Sequence, residues 1–372
     1  MLSRLTVSNF KGFNTEFVFD LSNTNSYEFN SDAVSNGIVK NALVYGHNGV
    51  GKSNLGLALF DIIGHLTDKN INENEYKQNV YLNAINKSKT AYFKYEFLFN
   101  KDVVIYQYEK SDVRTVVSET LVINNKVLAK IDKRISNNAE INIAGAETLN
   151  TDLSNKNLSL LKYIRNNSIL ENNEENKVLI DFYNFVDSML FFRSLNTNMY
   201  LGLETGSNGI QEDIIEKGNV PDLEKFLNNA GIECKLKVVK EFDQDRIAFD
   251  FNGKLISFYD IASTGTQSLV LFYYWRQRIV NDHKVSFLII DEFDAFYHHD
   301  LSTIIVEELK KSGVQFVLTT HNTSVMTNDL LRPDCYFLMK KNSIKSLAKL
   351  TNKELREAHN IEKMYKAGSF DV

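Results

Sequence analysis

The sequence has 372 residues, 43% of them hydrophobic and 24% charged, enough for one large domain or two moderate ones with a real core. A formal net charge of −5 and a pI near 5.9 give no global attraction for a polyanion, so contact with DNA would need a local basic patch. Cys234 and Cys335 form no CxxC pair, no apolar run approaches the roughly 18 residues that span a bilayer, and the opening MLSRLTVSNFKGF lacks the order of a signal peptide. A disulfide scaffold, a zinc module and a membrane protein are set aside, and a cytoplasmic location is expected.

In chain order, LSRLTVSNF and FVFDL read as short strands, and NALVYG as a β-rich run that feeds a glycine hinge. Leu55, Leu59, Ile62 and Ile63 then recur at helical spacing. AYFKYEFLF alternates, with Phe93, Tyr95, Phe97 and Phe99 on one side, and VVIYQYE and TVVSETLVI follow, so an antiparallel sheet is expected over residues 90–145. From about residue 151 the period changes. Leu179, Phe182, Val186 and Met189 mark one helical face, and residues 151–230 read as a helical insertion. Strands resume at CKLKVVK, RIAFDF and KLISFY, followed by a helix over Thr266–Val280, the apolar strand VSFLII, a helix after Asp300, and the strands VQFVLTT and CYFLMK. Buried apolar strands alternating with helices predict an α/β fold with a mostly parallel core sheet, an antiparallel β lobe and a helical insertion. The expected division is 1–150, 151–230 and 231–372.

Gly46, Gly51, Lys52 and Ser53 satisfy G-x-x-x-x-G-K-[ST]. Phosphate oxygens need several N–H donors turned inward, and glycines let the backbone turn that tightly. Gly46, His47, Asn48, Gly49, Val50, Gly51, Lys52, Ser53 and Asn54 would thus cradle a triphosphate at the start of a helix, with Lys52 on the β- and γ-phosphates and Ser53 on Mg2+. FLIIDEFD supplies a buried strand ending in Asp291, the expected second Mg2+ holder, and then Glu292, placed to orient or deprotonate a water attacking the γ-phosphate. Together the two segments read as an ATP site with Mg2+.

With these motifs in place the chain resembles the ABC-type ATPase head of RecF, SMC and OLD proteins, a P-loop NTPase fold. It is most similar to the stand-alone ATP-binding proteins of bacterial anti-phage defence loci. LTVSNFKGF is similar to their opening strand, GHNGVGKSNL to the phosphate loop, ASTGTQSLV to the signature motif, DEFDAFYHH to the second acidic motif, VLTTHN to the switch histidine and NIEKMYKAGSF to the tail. The resemblance implies that Ser263, Gly265 and Thr266 contact the γ-phosphate of a second subunit, and that His321 senses the γ-phosphate as a donor. It also brings Phe10, Lys11, Gly12 and Phe13 near the nucleotide and offers Gln78 as the glutamine switch residue. Ala262, Thr264 and the run Tyr297-His298-His299 depart from the patterns of transporter heads and many relatives.

No NKxD-type guanine reader is found, so ATP is preferred over GTP. Sustained heptads for an SMC tether are missing, only a short stretch follows His321 where an OLD protein has its nuclease domain, and the signature is not that of a transporter. The expected function is that of an ATPase that forms a homodimer or higher homo-oligomer around ATP and regulates a separately encoded toxin or nuclease in anti-phage defence. The alternative is a DNA repair or recombination ATPase stimulated by DNA.

Overall fold

The computed structural model describes residues 1–67, 69, 80–154, 158–193, 200–202, 209–241, 244–281, 284–294 and 299–370. The chain opens with β1 (Leu2–Ser8) and β2 (Phe17–Asp20), adds a short hairpin, β3 (Val34–Ser35) and β4 (Ile38–Val39), and enters the interior with β5 (Asn41–Tyr45). After the helix α1 (Lys52–Leu66) come β6 (Ala91–Phe99), β7 (Asp102–Lys110), β8 (Val116–Ile123), β9 (Lys126–Asp132) and β10 (Ser136–Ile141). These form an antiparallel sheet in the order β10-β9-β8-β7-β6-β1-β2, so the first two strands join the expected β lobe. Period-two alternation builds it: Phe93, Tyr95 and Phe97 are buried, while Tyr92, Lys94 and Glu96, which alternate with them, are half-buried. Phe99, at the strand end, is half-buried as well.

Residues 151–230 contain the expected helices, α2 (Leu160–Asn167), α3 (Glu174–Asp187), α4 (Ile210–Glu216) and α5 (Val220–Asn229). They also contain β11 (Met189–Arg193) and β12 (Tyr200–Gly202), and β11 pairs in parallel with β16 (Phe287–Asp291) in the core sheet. Met189 therefore starts a strand and does not extend the helical face of Leu179, Phe182 and Val186. A single apolar residue after a helix suits either period, and the partner strand decides.

A three-stranded antiparallel sheet, β13 (Leu236–Glu241), β14 (Gln244–Phe251) and β15 (Lys254–Ser257), leads into α6 (Phe258–Ile261) and α7 (Thr264–Arg276), which continues as a π-helical segment, Gln277–Asn281. KLISFY is thus strand only as far as Ser257. After β16 come α8 (His299–Ser312), β17 (Gln315–Thr320), β18 (Tyr336–Lys340), β19 (Ser343–Ser346) and α9 (Ile361–Lys366).

The core sheet runs β12-β11-β16-β17-β5-β18-β19, parallel at its centre and antiparallel at both edges. Its central strands are buried throughout. Ile290 pairs with Leu318 and Thr320 with Tyr45, so β17 and β5 end at one level and β16 one residue earlier. Asp291 closes β16, and Gly46 and His321 follow β5 and β17 side by side, at the carboxyl edge where open α/β sheets bind ligands. The buried Gln315 fastens the two large sheets: its amide donates to Leu2 O (2.8 Å) and Val39 O (3.1 Å) and accepts from Leu2 N (2.9 Å).

Candidate nucleotide site

The loop after β5 turns where only glycine fits. A Cβ on Gly46 would lie 2.8 Å from Met339 O and 2.8 Å from Val50 Cγ2. Gly49 (φ 81°) and Gly51 (φ 109°) hold left-handed conformations that L side chains resist. Gly51 starts α1 with no side-chain cap, so the first-turn N–H groups face the loop as an anion cradle. Lys52 is buried, and its Nζ donates to Gly46 O (2.8 Å), His47 O (3.4 Å) and His321 Nε2 (2.8 Å). Burial holds its pKa below the ordinary lysine value, against the opposing charges of Glu292 and Asp291. An ammonium has donors only, so in this contact His321 Nε2 is the acceptor.

Across the cradle, Ser53 Oγ donates to Asp291 Oδ2 (2.6 Å) and Thr319 Oγ1 donates to Asp291 Oδ1 (2.7 Å). Glu292 leaves the strand with φ 49°, a left-handed conformation that costs a non-glycine residue about 1–3 kcal/mol. Its N–H donates to Thr319 Oγ1 (2.7 Å), and its Oε1 lies 3.6 Å from His321 Nε2. Gly46, Lys52, Ser53, Asp291, Glu292 and His321, from three separate segments, form one cluster. The hydroxyl of Ser53 and the carboxylate of Asp291 are adjacent hard oxygen donors. They fit Mg2+, which takes one or two protein oxygens and keeps its remaining ligands as water or phosphate.

The chain matches the model of the family described as "AAA domain, putative AbiEii toxin, Type IV TA system" over residues 41–327, well over half its length. The chain belongs to that family. The matched description names an AAA domain, and nucleotide binding comes with that family. No curated protein matches it. Among solved structures it is similar to the SMC head domain from Thermotoga maritima, at 16% identity, covering 93% of this chain and 98% of that one, with a TM-score of 0.42. It is also similar to the Pyrococcus furiosus Smc head domain with an extended coiled coil bound to the C-terminal domain of ScpA (12% identity, 98% of each chain, TM-score 0.46). A third is the ATP complex of the recombination mediator RecF (13% identity, 93% of this chain and 99% of that one, TM-score 0.41). Among the described residues no helix is long and apolar enough to cross a membrane.

Ser263, Gly265 and Thr266 stand at the start of α7, outside the hydrogen bonds of this cluster. Ser263 is the N-cap, accepting from Thr266 N (3.2 Å), with its Oγ 2.9 Å from Thr266 Oγ1. Among the described residues no hydrogen bond joins them to the phosphate loop. Ser263 and Thr266 border an open cleft of about 820 Å³ shared with Cys234, Phe249, Phe251 and Asn252. The turn Phe10–Phe13 does approach the loop: a Cβ on Gly12 would come within 2.9 Å of Asn54 Nδ2. His47, Asn48 and Gly49 are exposed at the loop's crest. Gln78, Tyr297 and His298 lie outside the described residues.

Two features escaped the sequence reading. Thr319 binds both acids' segment, and its only signal was a polar pair, Thr-Thr, ending an apolar buried strand. Asp61 of α1 pairs with Lys110 of β7 in the interior (2.9 Å), and no sequence pattern announces that pairing.

Proposed function

We propose that the protein binds ATP with Mg2+ in this cluster, hydrolyses it, and uses the cycle to close and open a homodimer that regulates a separately encoded toxin or nuclease in anti-phage defence. The observation that carries the hydrolytic part is the contact of Ser53 with Asp291 at 2.6 Å, beside Lys52 and Glu292. Lys52 now donates to two carbonyls and the His321 ring, acceptors that β- and γ-phosphate oxygens can replace. Ser53 and Asp291 would hold the metal, which when bound neutralises charge on the phosphate oxygens. Glu292 orients the attacking water and takes its proton at the carboxylate. Once the Lys52 ammonium turns to phosphate, His321 Nε2 is released from it and the ring is placed to donate to a γ-phosphate oxygen.

The dimer rests on resemblance. Its physical support is a helix start at Ser263, Gly265 and Thr266 that, among the described residues, no hydrogen bond joins to the chain's own loop, which suits completing another subunit's site. Occupancy and association are then one linked equilibrium. The family description, which names a toxin of a toxin–antitoxin system, supports the defence role. The test is Glu292→Gln: ATP binding is retained, turnover is abolished, and the variant elutes as a dimer with ATP. Wild-type turnover in that variant rejects the assigned chemistry. Salt-sensitive stimulation of the wild type by DNA ends, with no effector co-purifying, would instead favour a repair ATPase.

A further inference from the structure

We infer that Thr319 is a positioning residue of the hydrolytic site, holding Asp291 and Glu292 at their working separation through a single hydroxyl. The inference rests on the reading of those two acids given above. β17 ends in two buried threonines whose side chains, on successive residues of a strand, point to opposite faces. Thr320 Oγ1 donates to Asp294 Oδ2 (2.6 Å) and accepts from Asn322 N (2.8 Å), bracing the far side of the acidic turn against the loop that carries His321. Thr319 faces the acids.

A hydroxyl offers one proton and two lone pairs. Thr319 gives the proton to Asp291 Oδ1 at 2.7 Å and a lone pair to the N–H of Glu292 at 2.7 Å, so neighbouring residues with different tasks are tied to one atom. Its backbone carbonyl accepts from Phe293 N (3.1 Å), so residue 319 fastens the turn on both sides of Glu292. That turn needs fastening, because Glu292 sits at φ 49°. Branching at Cβ restricts χ1 and keeps the oxygen aimed. Without the hydroxyl, Asp291 loses this donor and the Glu292 N–H loses this acceptor. Residue 292 can then relax toward ordinary backbone angles and carry its carboxylate away from His321.

Three substitutions separate this role from packing. Valine keeps the shape and removes the hydroxyl, serine keeps the hydroxyl and removes the methyl, and alanine removes both. Hydrolysis at saturating ATP, ATP affinity with Mg2+ and with EDTA, and thermal unfolding are measured for each, beside Glu292→Gln. The expected result is a kcat lowered about 10- to 100-fold in Thr319→Val and Thr319→Ala, the usual range for a residue that orients a metal-site ligand, with Thr319→Ser close to wild type. ATP affinity in EDTA is unchanged in all three, while the gain in affinity on adding Mg2+ shrinks in the valine and alanine variants only. Equal losses in Ser and Ala overturn the inference, and that pair decides even if the valine variant does not fold. Full turnover in Thr319→Val while Glu292→Gln is inactive overturns the inference alone. Full turnover in Glu292→Gln overturns the reading of the site and the inference with it.

Discussion

Replacing Lys110 by methionine tests how the helix bearing Lys52 and Ser53 is anchored. Lys110, the last residue of β7, and Asp61, within α1, are each 2% exposed in their side chains and meet at 2.9 Å. Asp61 also accepts from Tyr81 OH (3.0 Å) and Tyr108 OH (2.8 Å), and Lys110 Nζ lies 5.4 Å from the centre of the Tyr81 ring. Methionine fills the stem's volume but leaves the Asp61 carboxylate in the interior with phenolic donors in place of an ammonium. Removing one partner of a buried pair costs about 3–5 kcal/mol. With an unfolding entropy of about 2.1 cal/mol/K per residue over 372 residues, that lowers Tm by about 4–6 °C. The double variant Asp61→Asn, Lys110→Met removes both charges and keeps a polar acceptor for the tyrosines, so it should be more stable than Lys110→Met alone. Calorimetry at neutral pH measures both. A Lys110→Met protein as stable as wild type, or a double variant whose loss is the sum of the two single losses, would refute the reasoning.

Gly46→Ala should abolish ATP binding while the chain still folds, because its Cβ meets a backbone oxygen that cannot step aside; titration of the purified variant with ATP checks this. Ser53→Ala should bind ATP in EDTA like wild type but gain little from Mg2+, read in the same titration. His65 gives a pH prediction. Burial first, then the charges of Lys110 and Lys162, push its pKa well below 6.5, and the nearby Glu119 (3.7 Å) is already engaged by Ser159, Leu160, Leu161 and Tyr106. Below pH 6.5 the unfolded chain therefore binds a proton that the native one does not. Stability is lost as pH falls, at a slope approaching about 1.4 kcal/mol per pH unit. His65→Phe keeps the stack on Tyr108 (4.0 Å between ring centres) without the titration, so wild-type stability should fall relative to the variant between pH 7 and 5. A constant difference across that range would contradict it.

What the sequence discloses about this molecule is what is local. The glycine spacing of the phosphate loop, a buried strand ending in Asp291 and Glu292, and another ending beside His321 each carry their signal within ten residues, and the parallel register then aligns them. The alternation of Phe93, Tyr95 and Phe97 likewise marks a sheet face. Pairing across the chain leaves no such trace. Met189 satisfies a helical period until β16 claims it as a strand, and Leu2–Ser8 looks the same whether it joins the core or the β lobe. Asp61 and Lys110 read as ordinary solvated charges until α1 and β7 are brought into contact. Thr319 reads as a β-former, because its importance lies in which two atoms its hydroxyl reaches.

The central claim is that one Mg2+ and one triphosphate join the helix start at Lys52 and Ser53 to the strand end at Asp291 and Glu292. A crystal structure with Mg2+ and a non-hydrolysable ATP analogue tests it most directly. The account predicts phosphates wrapped by residues 46–54, Lys52 turned from His321 to phosphate oxygen, and the metal between Ser53 and Asp291. A nucleotide seated elsewhere, or a metal that touches neither of those side chains, would contradict it.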